Sequence, residues 1–406
     1  MTGDGHVPTS GIASAQQEAR RAQDWLLHEA LPLWGTRGRT ASGLFAERMS
    51  LDGLPDESYF RTFVQARHIY AFATAARLGW TGRWQDLVNT TLDILLARAR
   101  RRDGFFVHQL SASADVLDGR ADLYDQAFVL FALGTAGGAL ERAELFNVAE
   151  SLLNGLEQHW SAPDGGFREG EVADPRIRRQ NPHMHLFEAF LALFEASGRQ
   201  RFFDAAATIA QLARDRFIDP ASGALREYFD HEWQPSQVGV RPEGDIVEPG
   251  HCCEWAWLFE RLAAMGWEYG IRISDSLTDF ARRHGVDPGR GVMIDEVWID
   301  GEVRSTRARC WPQTERTKVA VLRWLRTSSE TEAAEITAAA RGLAPYLAVS
   351  LPGLWRDKMN GDGSWQDEPA PGSSLYHIAC AIAEMARVTE LSESVEQTVC
   401  EMTGRL

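Results

Sequence analysis

Six short turns that place a glycine next to a large apolar residue recur along the chain at nearly even intervals. Their glycines, 57 to 72 residues apart, are Gly43, Gly104, Gly166, Gly223, Gly291 and Gly363. Glycine permits the positive φ of a tight turn, and the apolar side chain near it can anchor the turn to a core. Each interval has room for two helices, so the spacing predicts six helical hairpins.

The segments between the turns carry apolar residues at helical spacing, whereas strand-like alternation is scarce and short. These segments are 62–78, 122–134, 184–196, 203–214, 252–264, 316–326 and 376–388. The 35 glycines would supply some such turns by chance, but the near-even spacing favours a repeat. We predict an all-α fold, an (α/α)6 barrel of six helical hairpin repeats. We expect residues 16–406 to form one barrel domain and residues 1–15 a flexible N-terminus.

The charge balance restricts the partners. The 406 residues contain 42 Lys and Arg against 57 Asp and Glu, a formal net charge of −15. This negative field repels nucleic-acid phosphates and anionic membranes, and it disfavours polyanionic substrates. We therefore expect a protein that binds a neutral small molecule and neither nucleic acid nor membrane.

The cysteines and the apolar runs exclude other classes. The five cysteines include no CxxC pair, so the sequence favours neither a disulfide framework nor a zinc ribbon. No apolar run approaches the roughly 20 residues of a membrane helix. Residues 1–15 lack the basic and then apolar pattern of a signal peptide. We expect a cytoplasmic protein.

Ionisable residues gather at the start of one predicted helix in each repeat. His185 and Glu188 are three residues apart in one helix, and His251 and Glu254 are three apart in another, so each pair shares a helix face. Further residues of this kind are Arg67, Asp125, Glu315 and His377. If these helices line the inside of the barrel, their starts meet at one end and form a cleft.

A carbohydrate pocket suits this cleft better than a metal or a reactive thiol. His183 and His185, two residues apart on a helix, point in different directions, so we predict no metal, and either one could face the cleft. Cys252 and Cys253 have no evident basic partner and fit core residues better than nucleophiles. The chain has 14 tryptophans; most of them would be core, but Trp311 and Trp365 could stack on a sugar.

An ordered set of motifs resembles the N-acylglucosamine 2-epimerase superfamily. The motifs are residues 65–70 (QARHIY), 122–128 (DLYDQAF), 181–186 (NPHMHL), 249–251 (PGH) with Glu254 and Trp255, 311–312 (WP) with Glu315, and 376–377 (YH). They follow the family's order over nearly the whole chain. The resemblance implies an (α/α)6 barrel that acts on sugars without a redox cofactor or an obligatory metal.

The resemblance also implies which residues are functional. The family's histidines match His185, His251 and His377, its arginine matches Arg67, and its glutamates match Glu254 and Glu315. The Met-His and Tyr-His pairs are most similar to the branch of mannose isomerases, which interconvert an aldose and a ketose. The acylglucosamine 2-epimerases differ before the last histidine, and the cellobiose 2-epimerases stay open as an alternative.

These matches lead to a mechanistic hypothesis for D-mannose and D-fructose. His377 moves a proton between C2 and C1, and His251, polarised by Glu254, assists ring opening and proton transfer to oxygen. Arg67 and His185 hold the carbonyl and hydroxyl groups of the open sugar, and Glu315 positions hydroxyls. Asp125, Trp311 and Trp365 complete the expected substrate contacts.

Four alternatives stay open. A 2-epimerase would return the proton to the opposite face of C2 and would need two bases. A mannose-6-phosphate isomerase would bind phosphate through Arg61, Arg241 or Arg356. A glycoside hydrolase or polysaccharide lyase on the same barrel would recruit carboxylates such as Glu254, Glu315 or Asp362. The last alternative is a sugar- or protein-binding role without catalysis. A homodimer is compatible with all of these.

Overall fold

Helices make up most of the computed structural model, which describes the backbone of residues 11–174 and 176–403 and the side chains up to residue 390. The helices are α1 Gly11–Trp25, α2 Leu31–Thr36, α3 Thr62–Arg77, α4 Trp84–Ile94, α5 Leu123–Ala139, α6 Glu144–His159, α7 Gln180–Ser197, α8 Gln200–Leu212, α9 Pro249–Ala264, α10 Gly270–Gly285, α11 Cys310–Thr327, α12 Glu330–Leu347 and α13 Ser374–Thr403. Short π-helical segments are Leu26–Ala30, Leu95–Ala99 and Ala213–Phe217, and Glu243–Asp245 is a 3-10 turn.

The odd-numbered helices from α3 to α13 form a closed inner ring. Each contacts the next in chain order, and α13 returns to α3. An outer helix covers each of them: α4, α6, α8, α10 and α12 pack on the five inner helices that precede them, and α1 packs on α13. The protein is therefore the predicted (α/α)6 barrel, in which the first helix of the chain covers the last inner helix.

The N-terminal segment is helical from Gly11 onward. Ala15, on α1, is buried against side chains of α11, α12 and α13. Residues 11–15 of the segment expected to be flexible therefore begin α1. Residues 1–10 of that segment lie outside the described residues.

All six repeated glycines have a positive φ, between 66° and 92°, and each lies between an outer helix and the next inner helix. Glutamines at the fourth position of three inner helices hold these turns. Gln65 accepts a hydrogen bond from Phe45 N (2.7 Å) and donates one to Phe45 O (2.9 Å). Gln126 does the same with Phe106, and Gln313 with Met293. The turns therefore tie the loops to the inner ring.

Short antiparallel strands connect neighbouring repeats around one end of the barrel. They are β1 Arg48–Met49, β2 Pro55–Asp56, β3 Phe60–Arg61, β4 Gln109–Leu110, β5 Val116–Asp118, β6 Arg178–Arg179, β7 Tyr228–Phe229, β8 Ile246–Val247, β9 Val286–Asp287, β10 Val292–Met293, β11 Glu296–Trp298, β12 Val303–Ser305, β13 Ala308–Arg309, β14 Lys358–Met359 and β15 Ala370–Pro371. The strand before an inner helix pairs with the segment after the next glycine turn, as β3 does with β4 and β6 with β7. The pair β15–β1, with Met49 opposite Ala370, closes the ring.

Several inner helices begin earlier than their apolar pattern predicts. Helix α7 starts at Gln180 instead of residue 184, and α11 starts at Cys310 instead of residue 316. The opening residues are polar yet buried, as Gln180 and Gln313 show, so apolar periodicity does not detect them. Asn181 lies inside α7 and is not its N-cap, because Arg179 holds that position.

Two further expectations concern cysteines and membranes. Cys252, Cys253, Cys310 and Cys380 are unpaired and buried, and burial raises the pKa of the Cys252 and Cys253 thiols. They are core residues, as expected for Cys252 and Cys253. Among the helices of the described part, none combines the length and the apolar character needed to cross a bilayer.

Candidate functional site

The N-terminal halves of α7, α9, α11 and α13 bring the predicted ionisable residues together. His185, His251, Glu254, Glu315 and His377 come from these four helices, and each is buried. Glu254 belongs to two close groups of side chains, one with Glu315 and His377 and the other with Glu188 and His185. Within each group, one oxygen or nitrogen atom of every side chain lies within 4.8 Å of those of the others. The predicted cleft residues therefore meet on the barrel axis.

His377 is held by a carboxylate from the neighbouring inner helix. Its Nδ1 lies 2.8 Å from Oε1 of Glu315. Burial, followed by the positive charges of Arg67 and Lys318, holds the pKa of His377 well below its usual value. His377 is therefore neutral, and an Nδ1–H that donates to Glu315 leaves Nε2 as the unprotonated nitrogen.

His251 lies in the opposite electrostatic environment. Its Nδ1 is 3.0 Å from both carboxylate oxygens of Glu227 and 4.0 Å from Glu248. Burial opposes the charged ring, but Glu227 and Glu248 outweigh it and raise the pKa of His251 to about 9. The carboxylate that contacts His251 is thus Glu227, from the loop before α9, and not the expected Glu254.

Asn181 covers the other ring nitrogen of His251, with its amide Nδ2 3.2 Å from Nε2. This amide can donate its N–H to a neutral ring. After a half-turn rotation its carbonyl, which has no partner among the described residues, can accept from a protonated ring. Asn181 therefore suits both protonation states of His251.

Glu254 lies at the centre of the carboxylate cluster. Both of its oxygens are buried without a hydrogen-bond partner among the described residues. Burial, followed by the charge of Glu315, raises its pKa well above the usual value. A neutral carboxyl group at this position can donate a proton or a hydrogen bond to a ligand oxygen.

Arg67 projects from α3 into an aromatic pocket. Its Nη1 donates to Ser373 O (3.2 Å) and its Nη2 to the Tyr124 hydroxyl (2.7 Å). The guanidinium lies 4.2 Å from the Phe128 ring centre and 5.0 Å from that of Tyr376. Because these partners are uncharged, the cation retains its capacity to stabilise an oxyanion.

The two histidines of α7 have different surroundings. His185 lies against Phe128 and Tyr124, with Nδ1 3.2 Å from Glu188, whose same oxygen accepts from the Tyr376 hydroxyl at 2.5 Å. Burial lowers the pKa of His185 to about 4. His183 instead accepts from Phe167 N (3.0 Å) and so holds a glycine turn. The cleft histidine is thus His185.

Trp311 lies between the two catalytic candidates. Its ring centre is 4.8 Å from that of His251 and 5.7 Å from that of His377. Gly250 permits this arrangement, because a Cβ at that position would lie 2.7 Å from the indole. The Pro-Gly-His motif therefore has a packing role beside its histidine.

Asp125 and Trp365 lie apart from this cluster, contrary to the expectation that they contact the substrate. Asp125 is buried; it accepts from Phe63 N (3.0 Å) and lies 2.7 Å from His108 Nδ1. Trp365 packs edge-on against Tyr346 of the outer helix α12. The turn geometry draws Trp365 outward, and the free N–H groups at the start of α3 engage Asp125.

Within the part of the chain that the structure describes, three buried groups could supply metal ligands: His185 with Glu188 and Glu254; Glu227 with Glu248 and His251; and Glu254 with Glu315 and His377. Protein cations already face their carboxylates. Lys318 lies 2.5 Å from Glu315, and His251 faces Glu227 and Glu248. The absence of a metal stays a prediction.

Sequence reasoning missed Glu227, Asn181, Tyr124 and Lys318. Lys318 had a usable signal, because it follows Glu315 by three residues on one helix. Glu227 had none, because it lies in a loop segment 24 residues before His251.

A buried site that brings two histidines, glutamates and an arginine together inside an (α/α)6 barrel is suited to an enzyme that moves protons. The model of the N-acylglucosamine 2-epimerase (GlcNAc 2-epimerase) family matches residues 43–381. The chain belongs to this family, whose members are sugar isomerases and epimerases.

Individual relatives carry different activities. A protein of Rhizobium meliloti (strain 1021) named mannose-6-phosphate isomerase is 40% identical over 91% of this chain and 96% of its own. A D-mannose isomerase of Thermobifida fusca is 28% identical over 69% of this chain and 72% of its own. The solved structure of the cellobiose 2-epimerase from Bacillus thermoamylovorans B4167 superposes with a TM-score of 0.81 at 16% identity, covering 91% of this chain and 99% of that one.

Proposed function

We propose that this protein interconverts D-mannose and D-fructose by proton transfer through a cis-enediolate. The observation that carries the proposal is the contrasting surroundings of the two histidines, which shift their pKa values in opposite directions. His377 is neutral with Nδ1 bound to Glu315, and His251 is protonated between Glu227 and Glu248. One base and one acid are what an aldose–ketose isomerase needs.

The steps follow from these assignments. His251 donates a proton to the ring oxygen and becomes neutral, the anomeric hydroxyl gives its proton to water, and the sugar opens. His377 Nε2 removes the proton from C2, and the charge that develops on O1 is stabilised by Arg67, with Glu254 as a hydrogen-bond donor. His377 then returns the proton to C1, and neutral His251 relays the O2 proton to O1, which produces the ketose; His251 regains its own proton from water. His185 and Glu315 position hydroxyl groups.

The same observation argues against a 2-epimerase. An epimerase needs a second base on the opposite face of C2, and a protonated His251 is not a base at neutral pH. Epimerisation would require neutral His251 to act on C2 instead of relaying a proton between O2 and O1. A mannose-to-glucose product without fructose would establish that alternative.

A phosphorylated substrate is the second candidate, because the Rhizobium relative bears the name mannose-6-phosphate isomerase. Two of the three expected phosphate ligands are already paired. Arg61 contacts Glu47, and Arg241 contacts Asp300 and Glu302. Arg356 lies over Trp365, which packs on outer helix α12. These contacts support a free hexose as the substrate in our proposal.

The test is NMR of sugars incubated with the enzyme in D2O. We expect mannose to convert to fructose with deuterium partly at C1. Deuterium at C2 of glucose without fructose would replace the proposal by epimerisation, and a strong preference for mannose 6-phosphate would refute the free-sugar assignment. Absence of exchange in every sugar would leave only a binding role.

A further inference from the structure

Lys318 is a buried cation beneath the site. Its side chain, on α11, is fully inaccessible to solvent. Its Nζ lies 2.5 Å from Oε2 of Glu315 and 3.8 Å from the ring centre of Trp257. An ammonium group is costly to bury unless it is paired, so its position within the barrel indicates a role for its charge.

Glu315 joins Lys318 to His377. One carboxylate oxygen faces the ammonium of Lys318, and the other lies 2.8 Å from Nδ1 of His377. In the line Lys318–Glu315–His377, Glu315 has the role of the carboxylate in a catalytic triad, which sets the tautomer of the histidine. Here a lysine is added behind the carboxylate.

Several titratable groups surround this line. The carboxyl groups of Glu188 and Glu254 and the thiol of Cys380 lie near Lys318. Glu188 also lies near Glu315. Arg67 and His185 face His377 from α3 and α7. Burial and the charge of Glu188 raise the pKa of Glu315, and Lys318 is the cation that opposes this shift most strongly.

The consequence concerns the tautomer of His377. An ionised Glu315 accepts a hydrogen bond from Nδ1–H and leaves Nε2 free to act as a base. A protonated Glu315 would donate to Nδ1, and the proton would then reside on Nε2, so no base would face the substrate. The charge of Lys318 decides between these two states.

We propose that Lys318 is a positioning residue that keeps Glu315 ionised and thereby holds His377 in the tautomer with a free Nε2. The proposal rests on the proposed function only in assigning the role of base to His377. Lys318 itself touches no reacting atom.

The test compares Lys318→Met and Lys318→Arg with a matched control on the same helix. The control, Arg316→Gln, removes another buried cation of α11. Arg316 pairs with Glu335, with Nε 2.7 Å from Oε1, and this pair does not contact the histidines of the site. Nitrogen-15 NMR of the His377 ring, assigned by its loss in His377→Asn, reports the tautomer without substrate. Deuterium exchange at C2 of a sugar reports the base, whichever product forms.

We expect Lys318→Met to move the His377 proton to Nε2 and to lower the exchange rate about 100-fold or more, with KM changed less than about threefold. Lys318→Arg should keep the wild-type tautomer and most of the activity. Arg316→Gln should lower only the melting temperature.

The wild-type tautomer and exchange rate in Lys318→Met would overturn the proposal. If that variant does not fold, the Nζ signal of Lys318 in the wild type decides: a neutral amine at pH 7 refutes the proposal, and an ammonium together with a retained tautomer in Lys318→Arg supports it. If the wild type exchanges no sugar, the proposed function fails, and the ring tautomer still tests Lys318.

Discussion

At the scale of single residues, two histidines in one site have pKa values shifted in opposite directions because of what faces each ring. His377 lies near Arg67 and Lys318, and its pKa is held well below the usual value by burial and by these cations. His251 lies between Glu227 and Glu248, which raise its pKa to about 9. One residue type therefore supplies both an acid and a base at neutral pH.

Replacing His377 by Asn tests its role as the base. We expect C2 exchange to fall by at least about 100-fold, because the amide cannot accept the carbon-bound proton. His183→Gln is the matched control, since glutamine already performs the turn-holding role of His183 in three other repeats. Deuterium exchange and circular dichroism measure both variants, and near-normal exchange in His377→Asn would contradict the assignment.

The pH dependence of activity tests His251. The acid must be protonated, so kcat/KM should be retained below pH 9 and decline above it, following the pKa of about 9. Glu227→Gln removes the strongest stabiliser of the charged ring, and the decline should shift to lower pH by about one unit or more. Initial rates from pH 5 to about 10 measure this, and an unchanged alkaline limb in Glu227→Gln would exclude His251 as the acid.

At the scale of elements, each repeat has a glycine turn between its outer and inner helices, and a side chain of an inner helix anchors four of these turns. The positive φ at all six positions is the local requirement, and the anchoring side chain fixes where the turn lies. The short strands then connect this turn to the start of the inner helix before it, as β3–β4 and β6–β7 show. The site is therefore built on the best-anchored end of the barrel.

Two glycines near Phe105 separate the effect of backbone strain from that of packing. A Cβ at Gly104 would meet no atom within 4 Å, but its φ is 91°, so Gly104→Ala should destabilise by about 1–2 kcal/mol. Gly155→Ala, inside α6, would contact Phe105 at 3.6 Å without strain and should stabilise by about 0.5–1 kcal/mol. Urea unfolding measures both, and equal effects would refute this argument.

At the scale of the whole molecule, the net charge of −15 acts on charged substrates before they reach the site. We expect kcat/KM for mannose 6-phosphate to rise at least about twofold as salt screens this repulsion, and the value for mannose to stay constant. Initial rates at low and moderate ionic strength measure the difference. A rate with mannose 6-phosphate that falls with salt would instead reveal a cationic phosphate site.

The six repeats, the all-α barrel and most of the residues that meet inside the inner ring were predictable from the sequence. These follow from local signals, since a glycine turn and helical periodicity depend on neighbouring residues. Only the tertiary structure decided the partners. His251 pairs with Glu227, 24 residues away, and His377 with Glu315, 62 residues away.

The same distinction explains the two misplaced residues, Asp125 and Trp365. Their side chains point where the rotation of each helix and the path of each turn direct them, and both depend on packing between repeats. The protonation states are decided at this level as well, because burial and the charges contributed by neighbouring repeats set each pKa. The sequence thus shows which residue types are present, whereas their partners and pKa values depend on contacts between repeats of the folded barrel.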